Sequence, residues 1–112
     1  MEKFKVILVR IKKMYKEATN HYALGELIEE NDRYIKLRCK TFHFKNPMLN
    51  KGIYISDIKF RIFPWHTISY ILEIPEEVNW EEALPFIDEK GEIILKTERL
   101  TYKIEENRNL WF

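Results

Sequence analysis

Between Asp57 and Ile74 the chain alternates apolar and polar residues with a period of two, on both sides of a short break. Ile58, Phe60 and Ile62 alternate with Lys59, Arg61 and Phe63. After Pro64-Trp65-His66-Thr67, the series Ile68, Tyr70, Leu72, Ile74 alternates with Ser69, Ile71 and Glu73. Such spacing predicts two antiparallel strands, each burying one face, joined as a hairpin or a sharply bent corner. Tyr34 to Phe44 follows the same rule: Ile35, Leu37 and Cys39 face one way, and Lys36, Arg38 and Lys40 the other. If the two regions pair in that register, Lys59 and Arg61 join Lys36, Arg38 and Lys40 in one basic row on an outward sheet face.

The other segments are shorter. Val6, Ile7, Val9 and Ile11 within Phe4 to Ile11 favour a strand through their β-branched side chains. That reading is preferred to a helix with Phe4, Leu8, Ile11 and Tyr15 along one stripe. Lys12 to Asn20 is polar and reads as a loop or a strand extension. His21 to Ile28 resumes a strand with Tyr22, Leu24 and Leu27 inward, and Gly25 in its interior predicts a bulge or sharp bend. Glu29 to Asp32 is a turn, and Lys45 to Gly52, with its Asn-Pro and Gly, is a loop. Pro75 ends the strand-rich region. Asn79 followed by Glu82 predicts a capped start for a short helix carrying Trp80, Ala83 and Leu84, which Pro85 limits to one or two turns. Glu92 to Leu95 and Leu100 to Ile104 are two further short strands, with a turn at Glu89 to Gly91.

Composition narrows the class. The 112 residues are 46% hydrophobic and 33% charged, which excludes a disordered or fibrous chain and gives one domain burying about 65% of its unfolded surface. The run Val6 to Val9 falls far short of the ~20 apolar residues that span a bilayer. No signal peptide is recognised, and a cytoplasmic protein with no membrane role is expected. The absence of Gln beside abundant Glu, Lys and Ile resembles thermophile composition. Net charge is +1 but unevenly placed. Residues 1–72 hold 14 Lys+Arg and 7 Asp+Glu (+7), and residues 73–112 hold 5 and 11 (−6). Either a basic surface faces an anion, or the two halves pack together and neutralise each other.

Little in the chain points to catalysis. His21, His43 and His66 lack the short spacing of metal ligands. Cys39, the one cysteine, sits in an inward position and reads as a small core residue. The serines lack nucleophile-elbow glycines, and Glu26, Glu29, Glu30 and Asp32 belong to a solvated turn. A non-catalytic protein without cofactor or metal is expected. The basic row has aromatic neighbours in Tyr34, Phe42, Phe44, Phe63 and Trp65. Cations that neutralise phosphates beside rings that stack on bases are what single-stranded RNA binding needs. The bland alternative is a solvated sheet face, where Lys and Arg also resist edge aggregation. The tail Leu110-Trp111-Phe112, if exposed, would mark a site for a protein partner.

Gly25-Glu26-Leu27, the Asn31-Asp32 turn, the strand from Tyr34 to Cys39 and the segment Phe60 to Ile71 together resemble the Sm and Sm-like family, over about residues 21–72. Trp65-His66-Thr67-Ile68-Ser69 is similar to the Lys-His-Ala-Ile-Ser of its bacterial RNA-chaperone branch, with His66, Ile68 and Ser69 matching. The resemblance implies a five-stranded, strongly bent SH3-like barrel that forms rings and binds RNA. Asn31 stands where the family's first motif has Asp, Ile35 where it has an RNA-contacting Asn, and Phe63-Pro64 where it has Arg-Gly. Only His66 therefore carries over as a contact, and Trp65 would stack on a base as a feature of this chain.

The expected fold is all-β: a small SH3-like or Sm-like barrel over residues 1–75, and an acidic C-terminal extension over 76–112 with one short helix, packed on the barrel. Two function classes follow. One is a non-catalytic RNA-binding Sm-like protein, a homo-oligomeric ring using His66, Trp65, Lys36, Arg38, Lys40, Lys59 and Arg61. The other is a protein-interaction or structural module with no nucleic-acid role, docking a partner through the barrel edge or through Leu110, Trp111 and Phe112.

Overall fold

The computed structural model describes residues 4–12, 21–46, 51–90 and 92–104. They form β1 (Val6–Ile11), β2 (His21–Glu30), β3 (Tyr34–Asn46), β4 (Lys51–Ile55), β5 (Lys59–Pro64), a 3-10 turn (Trp65–Thr67), β6 (Ile68–Glu73), β7 (Leu84–Ile87), β8 (Ile93–Lys96) and β9 (Thr101–Lys103). The fold is all-β, with every strand pair antiparallel. One sheet runs β4-β3-β2-β1-β6, and β5 lies beside β4 on the same edge of the long β3. The second is the meander β7-β8-β9. The first sheet bends without closing into a barrel: β5 and β6, joined by the 3-10 turn, are not paired with each other among the described residues.

The first sheet is covered on both faces. Ile7, Val9, Ala23, Ile35, Leu37, Cys39 and Ile68 form a core on its concave side. On the convex side Leu8, Tyr22, Leu24 and Phe42 pack against Ile74, Val78, Trp80, Ala83, Leu95 and Ile104 of the C-terminal region. Double coverage accounts for the unbroken apolar runs Ile7-Leu8-Val9 and Tyr22-Ala23-Leu24, where alternation would mark a half-buried strand.

Gly25 makes the bend possible. It lies opposite Cys39, and a Cβ there would come within 2.5 Å of the Cys39 Cα and collide with the Arg38 carbonyl. Only glycine permits β2 and β3 to approach so closely. The register shift of this pair lies further on, between Leu27 and Glu29.

Two expectations are corrected here. The short helix is absent among the described residues. Asn79 O accepts bonds from the N–H groups of Glu82 and Ala83 (3.2 and 3.0 Å), making one turn, after which the chain extends into β7. Pro85 has no N–H to continue a helix, and it fits an edge strand, where β7 lies. The facing of β5 is also reversed. Phe60 and Ile62 are 62% and 55% exposed, opposite Arg38 and Lys36, while Arg61 lies opposite Leu37. The link 56–58 between β4 and β5 sets this phase. Arg61 holds it, donating to Cys39 O (2.7 Å) and Ser56 Oγ (3.0 Å), while Ser56 Oγ accepts the Thr41 N–H (2.8 Å).

Candidate functional site

The basic row does not exist as one surface. Lys40 is buried at 4% exposure, and its ammonium donates to the carbonyls of Ala83 (2.5 Å) and Glu81 (3.2 Å). Arg38 pairs with Glu26 (2.8 Å) and Glu81 (3.3 Å), and its guanidinium lies 5.4 Å from the Trp80 ring centroid. These two cations bind the acidic C-terminal region to the convex face, so here the two oppositely charged halves meet. Arg61 is occupied on the concave side. Lys36 lies over the Phe60 ring at 5.6 Å, and Lys59 is exposed. The solvated-face reading of the row and the RNA-contact reading thus both lose Lys40, because the convex face is not a solvent face.

Trp65 and His66 sit side by side on the 3-10 turn, both exposed. Trp65 is held firmly. Its indole N–H donates to Asn31 O (2.6 Å) and its backbone N–H to Arg33 O (3.1 Å). Asn31 shapes the turn it belongs to, its Oδ1 accepting from the N–H groups of Arg33 (2.9 Å) and Tyr34 (3.0 Å). Thr67 closes the 3-10 turn by donating to Pro64 O (2.7 Å). Leu110, Trp111 and Phe112 lie outside the described residues.

The surface that periodicity missed is β5. Among the described residues it is hydrogen-bonded to β3 on one side only. Its Phe60 and Ile62 are the two most exposed large apolar side chains among the described residues. Among the described residues β6 likewise pairs on one side only, with β1, and its Ile71 is 37% exposed. Nothing in the alternation itself reveals this, since a two-residue period fixes which residues share a face and not which face is inward.

Three rings on neighbouring strands form a further cluster. His21 and His43 stack at 4.4 Å and 16°, and His43 and Tyr54 at 4.9 Å and 19°. Burial first, and the neighbouring His43 second, push the His21 imidazole below its ordinary value of 6.5. The ladder ties β2, β3 and β4 together. Burial likewise raises the Cys39 thiol, with Arg61 opposing, so Cys39 stays protonated at neutral pH. No cluster of three or more His, Cys, Asp or Glu suited to a metal occurs among the described residues. Nor is any described helix long and apolar enough to cross a membrane.

Comparison with known proteins finds no matching family model, no matching curated protein and no matching solved structure.

Proposed function

We propose that this chain is a non-catalytic binding module, SH3-like in strand plan, that assembles with further copies of itself through the β5 and β6 edges that are unpaired among the described residues. The plan is supported by the strand order: β1, β2, β3 and β5 form a meander, and after a 3-10 turn β6 returns to pair with β1. One observation carries the assembly: an edge strand with Phe60 and Ile62 more than half exposed. Monomeric proteins blunt such edges with charge, bulges or a covering element, because a flat apolar edge recruits another strand. Here Lys59 and Pro64 stand at the ends of β5, and Arg61 in its middle is turned away from Phe60 and Ile62 and bonded to Cys39 O and Ser56 Oγ. β5 of one copy against β6 of the next would satisfy both edges and repeat around a closed ring.

Solution mass tests it. Light scattering after size exclusion is expected to give a closed oligomer, and Ile62→Lys is expected to give a monomer with unchanged circular dichroism. A wild-type monomer would end the reading. The same samples titrated with single-stranded RNA address the other function class, for which the exposed Trp65–His66 pair is the support. Binding that weakens with salt and is lost in Trp65→Ala would favour RNA as the ligand of this module.

A further inference from the structure

At the end of the first sheet that carries the 3-10 turn, the concave face opens into a cleft of about 330 Å³. Its lining includes four aliphatic side chains: Ile7 and Ile35, which are buried, Leu27, which is partly buried, and Ile71, which is exposed. Ile7 and Ile35 belong to the concave core beneath. One wall is the Trp65 side chain, fixed by its indole bond to Asn31 O (2.6 Å). The wall is therefore in place before any ligand arrives, which lowers the ordering cost of binding.

The rim carries three charges: Lys5, Glu30 and Glu73. None of the three forms an ion pair with another described residue. Two carboxylates against one ammonium leave the mouth net negative. An entering anion would meet that excess, whereas a cation meets two unpaired carboxylates and an indole. The aliphatic lining cannot hydrogen-bond a polar ligand body, so the ligand needs an apolar stem below its charge. The volume stands at the low end of small-molecule sites, roughly 300–1,000 Å³. It suits one flexible side chain or a small amine rather than a nucleotide.

We infer that this cleft binds an alkylammonium group, an aliphatic stem ending in a primary or methylated amine, as on a lysine side chain or a small free amine. The stem lies on Ile7, Leu27, Ile35 and Ile71, and the cationic head sits among Trp65, Glu30 and Glu73. Edge-to-edge assembly is not a premise: Ile71 and Glu73 belong to β6, but strand pairing uses the backbone groups of that edge, whereas the cleft is lined by side chains.

Titration of the full-length protein, followed by the backbone and indole N–H signals in two-dimensional NMR, tests this. The Trp65 indole signal is assigned from its loss in Trp65→Phe. The probes are n-butylammonium, a short peptide with one central lysine, and n-butyrate. The expected result is a saturable shift of the Trp65 indole and of the Ile7, Leu27 and Ile71 amides with an ammonium probe, and none with butyrate. Binding of the peptide alone assigns the site to protein ligands, and comparable binding of butylammonium assigns it to free amines. Glu30→Gln combined with Glu73→Gln should weaken the ammonium probe about ten-fold, and Lys5→Ala should strengthen it. These rim residues are exposed, so folding is expected to survive. Butyrate binding as tightly as butylammonium, or no shift with either ammonium probe, overturns the inference.

Discussion

Lys40 is one residue in a row of three alternating cations, and nothing beside it in sequence separates it from Lys36 or Arg38. Its role comes from the chain over forty residues later, whose carbonyls at Glu81 and Ala83 accept hydrogen bonds from its ammonium. Removing the ammonium leaves those acceptors buried without their donor, at a cost of about 1–3 kcal/mol for each that water cannot reach. Lys40→Met fills the same volume without the charge. It should lower the urea midpoint with an unchanged slope, whereas Lys36→Met should leave the midpoint nearly unmoved. Equal effects would mean that Lys40 is no more engaged than its neighbour. The inward positions Ile35, Leu37 and Cys39 were legible because alternation reports which residues share a face. The fate of the opposite face was not, because it depends on what later covers it.

At the scale of elements, the strands themselves were largely readable. β-branched runs mark β1, strict alternation marks β3 and β6, and the two short C-terminal strands stand close to their expected places. The failures cluster where the chain changes partner. β3 exchanges β4 for β5 along one edge, and the intervening link 56–58 turns the apolar residues of β5 outward. A local pattern carries no memory of that step. Pro85 predicts the end of a short helix and stands instead inside a strand, which exists only because β8 pairs with it. The ring ladder across β2, β3 and β4 adds a pH dependence of its own. The folded protein holds His21 below its ordinary 6.5, so the unfolded chain takes up its proton first as pH falls. Stability should be full above 6.5 and should decline below it, until the lowered folded value is passed. His21→Phe keeps a ring in the stack and removes the titration; urea midpoints for this variant should vary less between neutral and mildly acid pH. An identical pH slope in variant and wild type would place the effect elsewhere.

For the whole molecule, the division into a barrel over 1–75 and an acidic extension over 76–112 describes the sequence better than it describes the energetics. Leu8, Tyr22, Leu24 and Phe42 are almost wholly buried, and their cover comes from Val78, Trp80, Ala83, Leu95 and Ile104. A chain ending after Pro75 would expose these four large side chains together and leave Lys40 and Arg38 without Glu81 and Ala83. It is expected to aggregate or to lack dispersed NMR signals; a folded, monodisperse fragment would show that the first sheet needs no cover. The charge asymmetry was the one global signal visible beforehand, and part of it is resolved by the Arg38–Glu81 pair.

The return of β6 to β1 bears on how the chain is made. Leu8 lies opposite Leu72, so on a ribosome the first strand emerges some seconds before its second neighbour, at roughly 5–20 residues per second. Over that interval β1, β2 and β3 can form a local hairpin series, while one edge of β1 and the convex face remain open. The nascent chain is therefore most vulnerable to misassociation after β3 has emerged and before β6 and the C-terminal region follow. Factors that shield emerging polypeptides should matter to its yield over that interval.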